Sequence, residues 1–396
     1  MARVLCAWEY GGDLGHVRRI VPIAHELRKM GHEVTMAFRD SSFIESVRAE
    51  GFETFIAPLL KIQREMNPSP LNFSDVLLNL GFRDARGIAG ALRAWQSMFE
   101  LLAPDVLVAE YAPTALIAAL LAGIRRVTVS AGFSVPVLRD PLPDLRPWQP
   151  TDPKILRALD DRLLTTIRHA AGASASRLPD RARGLFNAEA HLLCTFPEID
   201  PFGPRDGVEY LGPPADSVGG ADIPWMRESG PHVFAYLKPR SPRFEAVMAA
   251  LASLDAEVIV AAPGLTLERA NAMSTASMRV VPAAVNLDLV MRSASLCVSH
   301  AGAGVPARAM AAGVPMALLP LQLDQFLMAK RIEQTGAALV SNPEEPAPDF
   351  RAWFSSLLTE PRFREAADRL RESHGTHDFG RAAARAAERI AEVAQR

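Results

Sequence analysis

The sequence predicts an α/β protein built from two domains, each with a parallel β-sheet. Two observations predict this class. Short apolar runs alternate with helical patterns along most of the chain, and one segment dense in proline, glycine and aspartate divides that series in two. Strand–helix–strand alternation is the unit of a parallel sheet. The 396 residues suffice for two or three domains at roughly 100–200 residues each.

The N-terminal half opens on one such unit. Residues 4–8 form a short apolar run, and the glycine-bearing loop 11–16 follows it. Apolar residues at intervals of three and four then predict a helix over 17–27, Gly31 ends it, and 33–38 return to strand character. The later predicted elements of this half are a strand at 105–109, a helix at 114–122 and a strand at 126–130.

Two less regular helical stretches, 61–102 and 141–178, interrupt this series. They are either insertions that shape a binding cleft or surface decoration. The clearest linker signal spans 196–225. The second half repeats the alternation, with strands at 232–237, 257–261, 279–281, 296–299 and 314–319 and helices at 244–253, up to 312 and at 325–334. We predict an N-terminal domain of residues 1–200, a linker of 201–225, a C-terminal domain of 226–375 and a final helix of 376–396.

Composition excludes several classes of protein. Hydrophobic residues make up 49% and charged residues 22%, which argues against a disordered chain. The balance of 43 basic and 45 acidic residues gives no general attraction to nucleic acids.

The cysteines and the apolar stretches indicate a compartment. Cys6, Cys194 and Cys297 form no CxxC pair, which predicts reduced thiols. The longest apolar stretch, 112–124, is shorter than the ~20 residues of a membrane span, and the N-terminal run is too short for a signal peptide. We therefore expect a cytoplasmic protein without a transmembrane segment. Peripheral membrane contact and oligomeric state stay open.

The most informative segment starts where a predicted strand ends at Ser299. A small-residue loop follows, and then a helix with Pro306 in its first turn. Glycine lets a backbone approach a ligand closely, and the free N–H groups of a helix start attract phosphate. His300 could add a hydrogen bond to an anionic oxygen. The arrangement fits a diphosphate at the carboxyl edge of a parallel sheet, although such turns also occur for purely structural reasons.

The segment resembles the donor signature of family 1 glycosyltransferases, which include the UDP-glycosyltransferases of natural-product pathways. The matching residues are His300, Gly302, Gly304, 313–315, Pro320, Asp324, Gln325, Ala329 and Gly336. The resemblance extends to residues 280–300, 211–213 and the loop 11–16. It implies the GT-B fold, in which two Rossmann-like domains face each other across a cleft and the C-terminal helices pack back on the N-terminal domain. It also implies an inverting transfer without a metal.

The resemblance assigns roles to this segment. The counterpart of His300 contacts the diphosphate, and the counterparts of Asp324 and Gln325 bind sugar hydroxyls. The full set of donor-binding candidates is His300, Gly302, Ala303, Gly304, Val305, Arg308, Asp324, Gln325 and Lys238. The co-substrate would be a UDP or dTDP sugar, with no further cofactor.

Three departures from the family pattern bear on the donor. Val305 stands where the family has Thr or Ser, and 238–241 replaces a small hydroxylic loop. Arg308 stands where the family has a Glu that grips the ribose, and an arginine cannot accept those hydrogen bonds. A cation in the first turn of a helix is disfavoured by ~0.3–1 kcal/mol. Arg308 therefore either reaches solvent or faces an anion together with Lys238 and Arg240.

An inverting transfer needs a base for the acceptor hydroxyl, and histidine suits that role at neutral pH. His16 matches the family's base, and Glu110, after the predicted strand 105–109, matches its orienting acid. Asp13 is an alternative partner or base. A capping or core histidine and a surface glutamate are the structural alternatives.

The acceptor site is less readable. Leu14, Phe82 and Phe133 could line an apolar pocket, together with Trp95 and Trp148, but each is also a candidate core residue. Side chains with metal-ligand spacing are absent from the sequence, so we expect no metal. The sequence thus predicts a hexosyltransferase acting on a small apolar acceptor, of the kind used in natural-product or glycolipid glycosylation. The alternatives are a GT-B-shaped binding or partner protein without activity and a sugar-nucleotide 2-epimerase.

Overall fold

The computed structural model describes residues 1–12, 15–62, 66–215 and 220–396. The chain forms two compact units. The first comprises the described residues of Met1–Cys194, Pro204–Ala215 and Phe379–Arg396, and the second those of Thr195–Gly203 and Asp216–Asp378. The proline- and glycine-rich region predicted as a linker therefore contributes residues to both units.

The first unit is organised around a seven-stranded sheet in which all strand pairs are parallel. Its strands are β1 (Arg3–Trp8), β2 (Glu33–Phe38), β3 (Glu53–Ile56), β4 (Val106–Glu110), β5 (Arg125–Ser130), β6 (Ala190–Leu193) and β7 (Glu209–Tyr210). Their order is β3-β2-β1-β4-β5-β6-β7. The order reverses between β1 and β4, so the loops after these two strands leave the sheet in opposite directions and open a crevice.

Helices cover both faces of this sheet. They are α1 (Gly15–Lys29), α2 (Ile44–Ala49), α3 (Phe73–Leu77), α4 (Ala85–Leu102), α5 (Pro113–Ala122) and α6 (Pro153–Ala171). In β1, Leu5 and Ala7 pack into one apolar cluster, whereas Cys6 and Trp8 pack into the cluster on the opposite face. Burial on both faces explains why the strands read as continuous apolar runs.

The second unit repeats the plan with six parallel strands. They are β8 (His232–Tyr236), β9 (Glu257–Ala261), β10 (Met278–Val281), β11 (Leu296–Ser299), β12 (Met316–Leu318) and β13 (Ala338–Val340). The order is β10-β9-β8-β11-β12-β13, and the reversal lies between β8 and β11. Two α/β units with parallel sheets confirm the predicted fold class.

The helices of the second unit are α7 (Phe244–Ala252), α8 (Leu267–Met273), α9 (Leu287–Met291), α10 (Gly304–Ala312), α11 (Leu323–Glu333), α12 (Phe350–Thr359) and α13 (Pro361–His374). The predicted helix after residue 299 is thus present as α10, with Pro306 in its first turn. Gly313 ends it in the left-handed conformation, with φ of 69°.

The last helix, α14 (Phe379–Gln395), belongs to the first unit. Its buried face is rich in alanine, and it packs in the same apolar cluster as the buried face of α1. Arg389 at its exposed side pairs with Glu209 of β7 at 2.7 Å. The expectation that C-terminal helices return to the N-terminal domain is confirmed for α14, whereas α12 and α13 stay with the second unit.

Within the described ranges, none of the helices combines the length and apolarity needed to cross a membrane. Cys6, Cys194 and Cys297 are free and buried.

Candidate functional site

In the first unit, the crevice between β1 and β4 holds His16. This residue is the second of α1, which begins soon after β1 ends. Trp8, the last residue of β1, stacks on the imidazole, with ring centroids 5.2 Å apart and planes at 18°. A β-strand end and a helix start therefore fix the position of this side chain.

Glu110, the last residue of β4, meets His16 across the crevice. Its Oε2 lies 2.6 Å from His16 Nδ1, and Arg19 of α1 donates to its Oε1. The carboxylate is 1% exposed and the imidazole 19%. Burial alone would raise the pKa of Glu110, but the charges of His16 and Arg19 and their hydrogen bonds outweigh it and lower that pKa below its usual value.

The other ring nitrogen, His16 Nε2, faces the backbone of Gly11. A Cβ at residue 11 would lie 2.2 Å from Nε2, and Gly11 has φ of +85°, so only glycine fits here. Among the described residues, Nε2 has no hydrogen-bond partner. The predicted pair of His16 and Glu110 is therefore brought together, with one ring nitrogen held by the acid and the other turned away from it.

This geometry suits proton transfer. A carboxylate that accepts from Nδ1–H fixes the tautomer in which Nε2 holds the lone pair. Because Arg19 occupies the second carboxylate oxygen, Glu110 is itself fixed. The arrangement is that of a base oriented by an acid.

One buried acid of this region was not predicted from the sequence. Glu9 follows β1 directly and is 1% exposed. It accepts hydrogen bonds of 2.8 Å each from Trp95 Nε1, Thr114 N and Ala115 N. Burial outweighs these bonds and raises the pKa of Glu9 to about 7. A charged residue directly after a continuous apolar run was the available signal.

The aromatic side chains fall into two groups. Tyr111 lies 6.4 Å from His16 and 6.2 Å from half-buried Phe133, measured between ring centroids. Phe133 therefore packs against the ring that neighbours His16, and its place at an acceptor site stays a prediction. Phe82, in contrast, is fully buried in the core, so it offers no surface to an acceptor.

The two remaining aromatic candidates, Trp95 and Trp148, differ in their exposure to solvent. Trp95 is also buried, as the donor to Glu9. Trp148 is 44% exposed. Asp13 and Leu14, predicted as alternative base and acceptor contact, lie outside the described residues.

In the second unit, the crevice between β8 and β11 holds His300. The residue follows β11 and is 4% exposed. Its Nδ1 donates to Leu319 O at 2.7 Å, and its Nε2 accepts from Lys238 N at 2.9 Å. Both nitrogens therefore bond the backbone. The ring links the loops after β8 and β12.

The turn between β11 and α10 is open. Ala301 takes the left-handed conformation at φ of 58° and is buried, whereas Gly302 is exposed. A Cβ at Gly302 or Gly304 would meet no atom of the described residues within 4 Å. The N-terminus of α10 has no side-chain cap, so its first N–H groups face this space. The space and the donors that a diphosphate needs are both present.

The structure distinguishes between the two alternatives for Arg308, which were exposure to solvent and pairing with an anion. It is 4% exposed, so it does not reach solvent. Its Nε donates to Asp288 Oδ1 of α9 at 3.1 Å, and its Nη1 donates to Gly304 O at 3.4 Å. Arg308 thus faces an anion, the Asp288 carboxylate, and also binds the turn that opens α10.

The other donor candidates lie in the loop after β8 and in the first turn of α11. Lys238 is half-buried in the loop after β8, and its backbone N–H bonds His300. Asp324 lies in the first turn of α11. Gln325 is buried, and its Oε1 accepts from Leu321 N at 2.9 Å. Among the described residues there is no group of three side chains able to hold a metal ion.

Known proteins resemble this chain in sequence and fold. Residues 245–380 match the family described as "Erythromycin biosynthesis protein CIII-like, C-terminal domain". A PGL/p-HBAD biosynthesis glycosyltransferase of Mycobacterium tuberculosis is 26% identical over 401 residues, covering 94% of this chain and 89% of that protein.

Solved structures share the whole architecture. A calicheamicin glycosyltransferase has a TM-score of 0.71 at 20% identity, covering 99% of this chain and 98% of its own. A spinosyn rhamnosyltransferase complexed with thymidine diphosphate has a TM-score of 0.62 at 20% identity, covering 98% of this chain and 100% of its own.

Proposed function

Because the chain is a family 1 glycosyltransferase of the GT-B fold, we propose that it transfers a sugar from a nucleoside-diphosphate sugar to a hydroxyl group of a small apolar acceptor, with inversion at the anomeric carbon. The observation that supports this most strongly is the His16–Glu110 pair at the end of β1 and β4. Its free ring nitrogen is the only feature of the first crevice, among the described residues, that suits a base.

In the proposed step, His16 Nε2 takes the proton of the acceptor hydroxyl. The acceptor oxygen forms a bond to the anomeric carbon while the bond from that carbon to the diphosphate oxygen breaks. A single displacement of this kind inverts the configuration. Glu110 stabilises the imidazolium that forms, because its carboxylate already accepts from Nδ1.

The diphosphate leaving group would be held in the second unit. The uncapped N–H groups of α10 and the open turn at Gly302 and Gly304 supply donors at a helix N-terminus. The half-buried Lys238 adds a positive charge at the neighbouring loop. These groups would stabilise the developing negative charge, so the proposal includes no metal ion.

We further propose a dTDP or UDP sugar as donor. A structural neighbour that spans the whole chain was solved with thymidine diphosphate. Arg308, which is paired with Asp288, leaves the ribose contact different from the family pattern, so both nucleotides belong in the test. Asp324 and Gln325, in the first turn of α11, are proposed to bind sugar hydroxyls.

The acceptor is proposed to be an aromatic or otherwise apolar alcohol. Phe133 and Tyr111 form an aromatic group beside His16, and such rings favour flat apolar ligands. The free buried cysteines are compatible with a reducing compartment, and we place the reaction in the cytoplasm on that ground.

The test is a two-step screen. Thermal shifts with UDP, dTDP and their sugars identify the donor, and that donor is then incubated with hydroxylated aromatic acceptors, with and without EDTA. We expect a product heavier by one sugar residue, in equal yield with EDTA, whose anomeric configuration is opposite to that of the donor by NMR.

Three outcomes would contradict parts of the proposal. Retained configuration would exclude the single displacement. Loss of product with EDTA would require a metal. Nucleotide binding without product from any acceptor would favour a GT-B-shaped binding protein.

A further inference from the structure

Glu9 links the two strand ends that form the first crevice. Its carboxylate accepts from Thr114 N and Ala115 N, which are free N–H groups at the start of α5. Ala112, the residue before that helix, makes no side-chain cap. Glu9 therefore supplies the helix cap from more than 100 positions earlier in the chain.

The backbone around Glu9 is tied to the same connection. Glu9 N and Tyr10 N both donate to Tyr111 O, at 3.4 and 3.1 Å. Tyr111 has a φ of 45°, a left-handed conformation that a non-glycine residue adopts only when its surroundings hold it there. The short connection between β4 and α5 is thus fastened to the end of β1 at both of its ends.

That connection begins at Glu110. His16 is held on the β1 side, because Trp8 stacks on its ring. Whether the Glu110 carboxylate reaches His16 therefore depends on the position of the end of β4 relative to β1. Trp95 Nε1 of α4 also donates to Glu9, so the buried carboxylate joins α4 to the end of β1 and the start of α5. A glutamine in its place would turn one of the two acceptor oxygens into an NH2 donor, so at least one of the N–H groups bound by Glu9 would lose its acceptor in a dry interior.

On the premise of the proposed function, we propose that Glu9 is a positioning residue of the base: it acts through Glu110, by holding the β4–α5 connection in the position from which the Glu110 carboxylate meets His16 Nδ1. The three hydrogen bonds of the Glu9 carboxylate go to Trp95, Thr114 and Ala115 and not to His16. A simple core role would predict loss of stability alone, whereas this role predicts a change in the state of His16.

The first readout needs no substrate. The full chain is labelled with ¹⁵N-histidine, and His16 is identified among the nine histidines by the spectrum of His16→Gln. In the wild type we expect a single His16 tautomer with the proton on Nδ1. In Glu9→Gln we expect that signal to be replaced by a mixture of tautomers.

Two control variants distinguish an effect on the position of Glu110 from a general loss of protein stability. Leu163→Ala removes a fully buried side chain of α6, a helix that supplies none of the three hydrogen bonds to Glu9, and its His16 signal is expected to match the wild type. Trp95→Phe keeps an aromatic ring at this position but removes one of the three hydrogen bonds to Glu9. If Glu9→Gln does not fold, Trp95→Phe is used in its place. A smaller shift in the same direction is expected for it.

The second readout is kinetic, once an acceptor is known. We expect Glu9→Gln to lower kcat about 10-fold with the KM of the donor unchanged, and the double variant with Glu110→Gln to be no slower than Glu110→Gln alone. A His16 signal identical to the wild type, or multiplying effects in the double variant, would overturn the inference. Absence of any transferase activity would refute the proposed function, while the NMR result would still decide the role of Glu9.

Discussion

The two crevices of the molecule are built alike but hold their histidines differently. Each lies where the strand order of a parallel sheet reverses, and each has a histidine that bridges the loops there. His16 bonds a side-chain carboxylate and has one nitrogen unpaired among the described residues, whereas His300 bonds the backbone through both nitrogens. The same residue type therefore pairs with an acid in one crevice, where we propose a chemical role for it, and links the loops of the other.

The partner and the burial explain the difference. A carboxylate that is itself fixed by Arg19 can stabilise positive charge on a partly exposed imidazole, which is what a base requires. Backbone partners on both nitrogens and 4% exposure leave His300 no such freedom. The open N–H groups of α10, rather than the ring of His300, face the space for a ligand.

The largest effect is expected at Glu110. Glu110→Gln keeps the shape but removes the charge that stabilises the imidazolium. We expect kcat to fall about 10²- to 10⁴-fold, with the Kd of the nucleotide unchanged. Steady-state kinetics with calorimetric nucleotide binding would check this. A comparable loss of nucleotide affinity would contradict the assignment of proton transfer to the first crevice and nucleotide binding to the second.

A second expectation concerns the stability of the first unit in acid. Burial, together with Arg205 and Arg126, lowers the pKa of His191 to about 4. The unfolded chain binds a proton below its pKa of about 6.5 and the folded chain does not, so the stability present above pH 6.5 is lost as the pH falls toward 4.

Between pH 6.5 and 5 this amounts to about 2 kcal/mol in the free energy of unfolding. His191→Asn keeps a partner for Thr128 Oγ1, which lies 2.7 Å from His191 Nδ1, and should flatten that slope. Urea unfolding across this pH range provides the measurement. An equal slope in the variant and the wild type would rule out His191 as the cause.

Much of this arrangement was readable from the sequence. The alternation of apolar runs, which is a local pattern, predicted both sheets. The pair of His16 and Glu110 was predicted through the resemblance to family 1 glycosyltransferases, and the structure brings the two side chains together at the carboxyl ends of β1 and β4.

The remaining features depend on distant contacts. The partner of Arg308 is a carboxylate 20 positions earlier, which helical spacing does not reveal. Glu9 caps a helix far along the chain, and Phe82 is core because other helices cover it. Spacing likewise does not tell whether the nitrogens of His300 meet a ligand or the backbone.

A third expectation contrasts His300 with His16. His300→Ala removes both links between the loops after β8 and β12, so we expect the Kd of the nucleotide to rise about 10-fold, with kcat at saturating donor nearly unchanged. Unfolding should also become easier, because Leu319 O and Lys238 N lose their partner. A loss confined to kcat would instead give His300 a role in the chemical step.

The smallest effect is expected at the open turn. Gly302→Ala adds a methyl group where no atom of the described residues lies within 4 Å, so the free energy of unfolding should hardly change while the Kd of the nucleotide rises roughly 3-fold. Gly90→Ala is the matched control, because its Cβ would also meet nothing within 4 Å but it lies in α4. Unaltered nucleotide binding in Gly302→Ala would indicate that the donor does not bind at this turn.

The division between the two crevices is tested most directly by calorimetric titration of the donor nucleotide into His16→Gln, paired with turnover of the same preparation. The account predicts wild-type affinity with turnover reduced by at least about 100-fold. Turnover near that of the wild type, or affinity lost together with turnover, would contradict it.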